Sequence, residues 1–298
     1  MRFSGQGMMS HTATTTISRY FTKSRGKALS IGWFGLSSAE FILPVLIVFL
    51  LTFTNWENIW LIISFLVLIF LPISSYLLVK NIKLDTREKT DEAEFKEEYI
   101  KQWSRKEVIK DYRFYIISLN MLAMPWLATG IFVYQSFISD SKMWNIYTIP
   151  KAFMVYSVTS ILTLFLSGFL VDKFTGRKLI YVMNIPLLLA LLILFSYNHE
   201  VVAYIFLGLV GVSNGLANIL GSSTWAEIYG VKFIGSIKAL TTAFMVFSTA
   251  FGTAIFGLLI DYGFTIEDIA LVGAIYIIMS LVLLLLIKEK IEPIKLAK

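Results

Sequence analysis

Ionisable and amide side chains inside long apolar runs are the first candidates for chemistry in this sequence. A charge among hydrocarbon neighbours costs several kcal/mol unless it faces a cavity or a partner. Glu40 lies well inside the apolar run 28–53 and reads either as a proton carrier or as a neutral carboxyl hydrogen-bonded to a neighbouring helix. His11, eight residues before Arg19, reads as a hydrogen-bonded packing residue or as a ligand for a proton or solute. Arg2 lies farther out in the same run. Asn214 and Asn218 are four residues apart and share one helix face, so both could line a polar pathway; Asn120 and Gln135 are similar candidates. A second group is a charged turn, Gly168-Phe-Leu-Val-Asp172-Lys173-Phe-Thr-Gly176-Arg177-Lys178, to which Glu227 adds an acid at another helix end. Charges so placed form ion pairs or simply solvated surface. No Walker loop, no metal-spaced His/Cys/Asp cluster and no Ser/His/Asp set is present. The sequence therefore offers no catalytic residues, no metal site and no cofactor pattern.

The elements that must position these residues are membrane helices. Hydrophobic residues make up 57% of the 298 and charged residues 15%, too apolar a balance for a water-soluble domain of this length. Nine candidate spans follow, roughly 3–18, 28–53, 59–79, 114–137, 152–171, 179–197, 201–222, 239–260 and 269–287. Most reach the ~20 apolar residues that cross a ~30 Å hydrocarbon layer. No ten-residue alternation points to a barrel, so the expected fold is an all-α polytopic membrane protein.

Of the 26 Lys and Arg residues, all but Arg2, Lys142 and Lys151 fall on alternate connections or at the C-terminus. That partition makes the basic face cytoplasmic, with the C-terminus inside and the N-terminus outside. The net charge of +6 then reflects topology and anionic lipid rather than a nucleic-acid partner. Residues 1–18 carry no signal-peptide pattern. Ten bases and nine acids fill residues 80–113, a cytoplasmic linker between 1–79 and 114–298. Within it Phe95, Tyr99 and Trp103 recur every fourth residue, which predicts a short helix with an aromatic face. Gly211 and Gly215 predict close helix packing, and Pro44, Pro72, Pro125 and Pro186 predict kinks. A faint repeat relates Ser24-Arg-Gly-Lys27-Ala-Leu29 to Gly235-Ser-Ile-Lys238-Ala-Leu240, as duplicated membrane halves would leave.

The charged turn resembles the helix 8 to 9 signature of the major facilitator superfamily, G-x-x-x-D-R/K-x-G-R-R/K, with Thr175 as one extra residue. Arg2-Phe-Ser-Gly5-Gln-Gly7 resembles that family's helix-4 motif, and Ala226-Glu227-Ile-Tyr-Gly230 its helix 10 to 11 connection. The wording, with Thr129-Gly-Ile-Phe-Val-Tyr134-Gln135, is similar to bacterial members near the monocarboxylate and oxalate:formate branch. In that register 1–79 holds family helices 4–6 and 114–298 helices 7–12, so the resemblance implies a first half lacking helices 1–3. It further implies a secondary carrier of a small solute, such as an organic anion, in the bacterial inner membrane. The solute would bind in a cavity between the halves, with Arg2 as an anion-binding charge and protons as the candidate coupling ion. Asp172, Arg177 and Glu227 would then latch the cytoplasmic side. The acid and arginine of the monocarboxylate family's helix 8 have no counterpart in 152–170. The other reading is a transport-dead remnant or a membrane partner protein.

Overall fold

Every regular element in the computed structural model is helical, over the residues it describes: 9–21, 25–80, 100–145 and 147–294. Apolar side chains drive this, because a helix satisfies its own backbone where no water is available. The elements in chain order are α1 (Ser10–Tyr20), α2 (Arg25–Leu51), α3 (Trp56–Val79), α4 (Arg105–Lys110), α5 (Tyr112–Val133), α6 (Gln135–Ser141), α7 (Thr148–Phe174), α8 (Gly176–Leu179), α9 (Ile185–Ser196), α10 (Val201–Tyr229), α11 (Ile234–Asp261) and α12 (Ile266–Leu286). Among the described residues, α3, α5, α7, α10, α11 and α12 are long and apolar enough to cross a membrane. At 27 residues α2 is also long enough to do so.

Differences from the expected spans have local causes. The span expected at 114–137 ends at Val133, where Tyr134 leaves helical geometry. The span expected at 179–197 is broken: α8 has four residues, turns follow, and α9 has twelve. Buried groups stabilise the break. The Asn184 amide donates to the Asn120 carbonyl at 2.6 Å, and the Ser213 hydroxyl donates to the Met183 carbonyl at 2.8 Å, so protein groups supply a partner that the broken ladder does not. Pro186 therefore opens α9 instead of bending the middle of a helix. The aromatic helix expected through Trp103 is not found at that residue. Ser104 and Glu107 form a capping box that starts α4 only afterwards, and Phe95 and Tyr99 lie outside the described residues.

Packing runs through α7. It lies along α10, where Gly211 meets the Tyr156 carbonyl and the Thr159 hydroxyl, the close approach that small residues allow. On its other side α7 packs against α2. Helices α5 and α11 pair, α9 lies between α10 and α12, and α1 touches α2, α10 and α11. The buried core falls into two layers. One is built on Leu127, Tyr156, Phe206 and Phe256; the other lies toward the charged end, around Phe114, Trp225, Tyr229 and Leu29 of α2. Helix α3 is almost entirely exposed, as an apolar helix facing lipid should be.

The α2–α7 crossing is the tightest join between the first three helices and the rest. A Cβ on Gly26 would overlap the Gly168 carbonyl oxygen, and one on Gly168 would overlap the Ser30 hydroxyl. Gly35, in the same helix, has nothing within 4 Å of its Cβ position. Gly26→Ala should lower the thermal midpoint in detergent through an overpacking cost of about 1–3 kcal/mol. Gly35→Ala should leave the midpoint unchanged or raise it. Equal effects of the two in a fluorescence melt would show that the crossing is not tight.

Candidate functional site

A cavity of about 650 Å³ opens between α1 and α2 on one side and α5, α7, α10 and α11 on the other. Its lining changes along the bundle. At the end where α1 finishes and α2, α5 and α11 begin, it carries Thr14, Trp33, Ser118, Ser222, Thr241 and Lys238. Asn214 and Asn218 of α10 come next. Met124, Ala128, Phe132 and Tyr156 form the other end. Pro125 interrupts the ladder of α5 beside the cavity, and the Thr129 hydroxyl donates to its carbonyl at 2.7 Å.

Both asparagines expected on one helix face reach the cavity, and the Asn214 amide donates to the Ser160 hydroxyl at 3.0 Å. Asn120 does not reach it. Its position on α5 is turned away from Ser118, Met121 and Pro125, and its amide donates to the Ser280 hydroxyl of α12 at 3.4 Å. Gln135 stands exposed at the start of α6, because α5 ends before it. Arg2 and the side chains of His11 and Glu40 lie outside the described residues.

Lys238 is the residue that sequence reasoning missed. The partition of bases places it on a connection between spans, yet it lies one turn inside α11 and is 3% exposed. Its ammonium donates to the Thr14 carbonyl of α1 at 2.9 Å. The signal was present: Ile237, Ala239 and Leu240 flank it, and its counterpart in the repeat is Lys27.

The charged turn resolves into separate duties. The Gly26 and Lys27 amides at the start of α2 donate to Asp172, at 2.9 and 3.4 Å. The Ser30 hydroxyl donates to the Leu164 carbonyl at 2.9 Å, and the Lys27 ammonium lies 5.0 Å from the centre of the Phe169 ring. Glu227 accepts from the Gly176 and Arg177 amides at 2.7 and 3.0 Å, capping α8. The Arg177 side chain instead pairs with Glu292 at 2.7 Å. Hence Asp172, Arg177 and Glu227 do not close as a triad of side chains: Asp172 crosses to α2, and Glu227 meets Arg177 through the backbone. Lys173 and Lys178 are exposed. Gly176 is required beside Ser223 and Thr224.

A polar cluster surrounds the turn. Arg113 donates to Asp111 and to the Lys290 carbonyl, and Tyr229 donates to Asp111. The cations of Lys101 and Arg113 both lie over the Trp103 ring, at 4.1 and 5.3 Å from its centre. At the opposite end of the bundle Lys142 pairs with Glu267 at 2.6 Å and donates to the Asn198 side chain. Among the described residues no group of His, Cys, Asp and Glu could hold a metal.

Comparison with known proteins adds one match. Residues 4–154, just over half of the chain, match the family model described as Major Facilitator Superfamily. No curated protein matches.

Thr175, the extra residue of the turn, has φ 74° and ψ 144°, a region costly to any residue with a Cβ. Thr175→Gly should relieve about 1–3 kcal/mol of that strain, and the thermal midpoint in detergent should rise. A fall would show that the side chain contributes more than its backbone costs.

Proposed function

We propose that this chain, which belongs to the Major Facilitator Superfamily of secondary transporters and is an integral membrane protein, carries a small organic anion by alternating access. The cavity supports this reading most directly. One lysine and several hydroxyl and amide groups line it, and no carboxylate does among the described lining residues. An ammonium shielded from bulk water attracts an anion far more strongly than an exposed one. A monocarboxylate, as for the branch near oxalate:formate carriers, fits that charge. Protons are the coupling ion in this reading, with Glu40 and His11 as the carriers to test and Arg2 as a second anion-binding charge.

Alternating access requires a join that opens and recloses. The Asp172 carboxylate on the α2 amides is that join, set where two glycines bring the helices together. Charge-assisted hydrogen bonds to a helix N-terminus are strong enough to bias a conformation and weak enough to break. The basic face is cytoplasmic by the distribution of Lys and Arg, and the protein sits in a bacterial inner membrane in this reading.

Asp172→Asn should lower uptake several-fold in proteoliposomes while leaving the amount of inserted protein unchanged, because the amide keeps the shape and loses the charge. Unchanged uptake would remove the latch from the mechanism. The orientation has its own test in a chain without native cysteines. A cysteine replacing Tyr262, which is 80% exposed, should react with an impermeant maleimide on intact cells, and one replacing Lys106 only after permeabilisation. The reverse pattern would invert the topology, and absence of uptake for every organic anion tried would favour a remnant or partner protein.

A further inference from the structure

The cavity has a second level that is built without charge. Asn214 of α10 lines it, and the Asn214 amide donates to the Ser160 hydroxyl of α7 at 3.0 Å. Tyr156 lies one turn from Ser160 on the same helix and also lines the cavity. Gly211, three residues before Asn214, sits against the Tyr156 carbonyl, so α10 and α7 are in register here. The Phe132 ring of α5 meets the Tyr156 ring edge to face at 5.3 Å. A carboxamide and two aromatic rings therefore share one level of the wall. The bond to Ser160 uses one N–H of Asn214, which keeps a carbonyl oxygen and a second N–H on a cavity-lining side chain. Asn218 adds another amide one turn along α10. Lys238 is remote from this level. The Phe114 ring lies 5.2 Å from that of Trp225 and 5.8 Å from that of Phe244, which sets those residues of α10 and α11 side by side. From there Asn214 lies eleven residues back along α10 and Lys238 six residues back along the antiparallel α11. At the rise of a helix they are about 25 Å apart along the bundle, and no other charged side chain is found among the described lining residues.

We propose that this level is a binding station for an uncharged nucleobase, separate from the anion end of the cavity. A carboxamide presents a donor beside an acceptor, so it pairs at two points with a planar heterocycle whose edge carries an acceptor beside a donor. The flat body of that heterocycle packs against aromatic rings, which Phe132 and Tyr156 supply. The polar side chains at this level are Asn214, Asn218, Tyr156 and Thr129, and the Thr129 hydroxyl already donates to the Pro125 carbonyl. They are too few for a sugar ring, whose roughly five hydroxyls each cost free energy when buried without a partner. A plain arene would leave the Asn214 edge unpaired. Because Lys238 takes no part, the station stands or falls apart from the anion reading.

The test is calorimetric titration of the purified full chain in lipid nanodiscs with adenine, purine, glucose and phenylacetate. Purine has the ring of adenine without its exocyclic amine, so it lacks the donor of the two-point pair. Adenine should bind about tenfold or more tightly than purine, the discrimination that one such pair supplies, and more tightly than glucose. Asn214→Leu should erase the preference for adenine over purine. Phe132→Ala should weaken both by roughly tenfold, since stacking does not depend on the edge. The wild-type comparison needs neither variant to fold. Equal binding of adenine and purine, tighter binding of glucose, or no binding of adenine at millimolar concentration would overturn the station. Phenylacetate bound without adenine would overturn the station and leave the anion carrier standing. Adenine bound in preference to purine without phenylacetate would uphold the station and count against the anion carrier.

Discussion

The carboxylate of Asp172 on the first amides of α2 is the contact on which the arrangement of the cavity depends. A helix start leaves amide groups without intrahelical partners, and the bilayer interface supplies water to them only partly. Here a side chain from another helix supplies the acceptor. Gly26 and Gly168 make the reach short enough, and the Ser30 hydroxyl, bonded to both the Gly26 and Leu164 carbonyls, ties the same crossing one turn deeper. With α2 held there, Trp33 and Leu36 form one wall of the cavity.

The other polar ties fall into two sets. Those among the later helices are many and interlocked: Glu227 caps α8, Arg177 holds Glu292, and Arg113, Asp111 and Tyr229 fasten the start of α5 to the end of α10. Residues 101 and 103 add backbone bonds to Ile294 and Tyr229. Ties between the first helices and the later ones include Asp172 to α2, Ser30 to Leu164, Lys238 to Thr14 and the Lys27 ammonium over the Phe169 ring. A rocking carrier requires that ties of this second kind open while those among the later helices persist. Lys238 belongs to both sets of duties, since it lines the cavity and bonds α1.

Much of this was legible in sequence, and the limits have specific causes. Long apolar runs announced the helices, and the spacing of Asn214 and Asn218 placed both on the cavity. The charged turn was visible as a unit, but its partners were not, because Asp172 reaches an amide 146 positions away and backbone amides carry no sequence signature. Lys238 was hidden by a rule that assigns bases near span ends to loops. Asn120 and Gln135 were plausible polar residues in apolar runs. Which face each presents depends on where α5 ends and on the partner Asn120 finds in α12, and periodicity alone does not supply that. The broken helix at 180–184 escaped for a related reason: Ser213 and Asn120 stabilise it from other helices.

The claim that the Asp172 join opens and recloses is tested most directly by a distance. Lys27 and Lys173 are exposed on the two sides of the join, and the chain has no cysteine to remove. Spin labels on cysteines at those positions, measured by electron–electron double resonance in nanodiscs, should give two distance populations. Asp172→Asn should move weight to the longer one. A single distance that the substitution leaves in place would contradict a latch at this crossing.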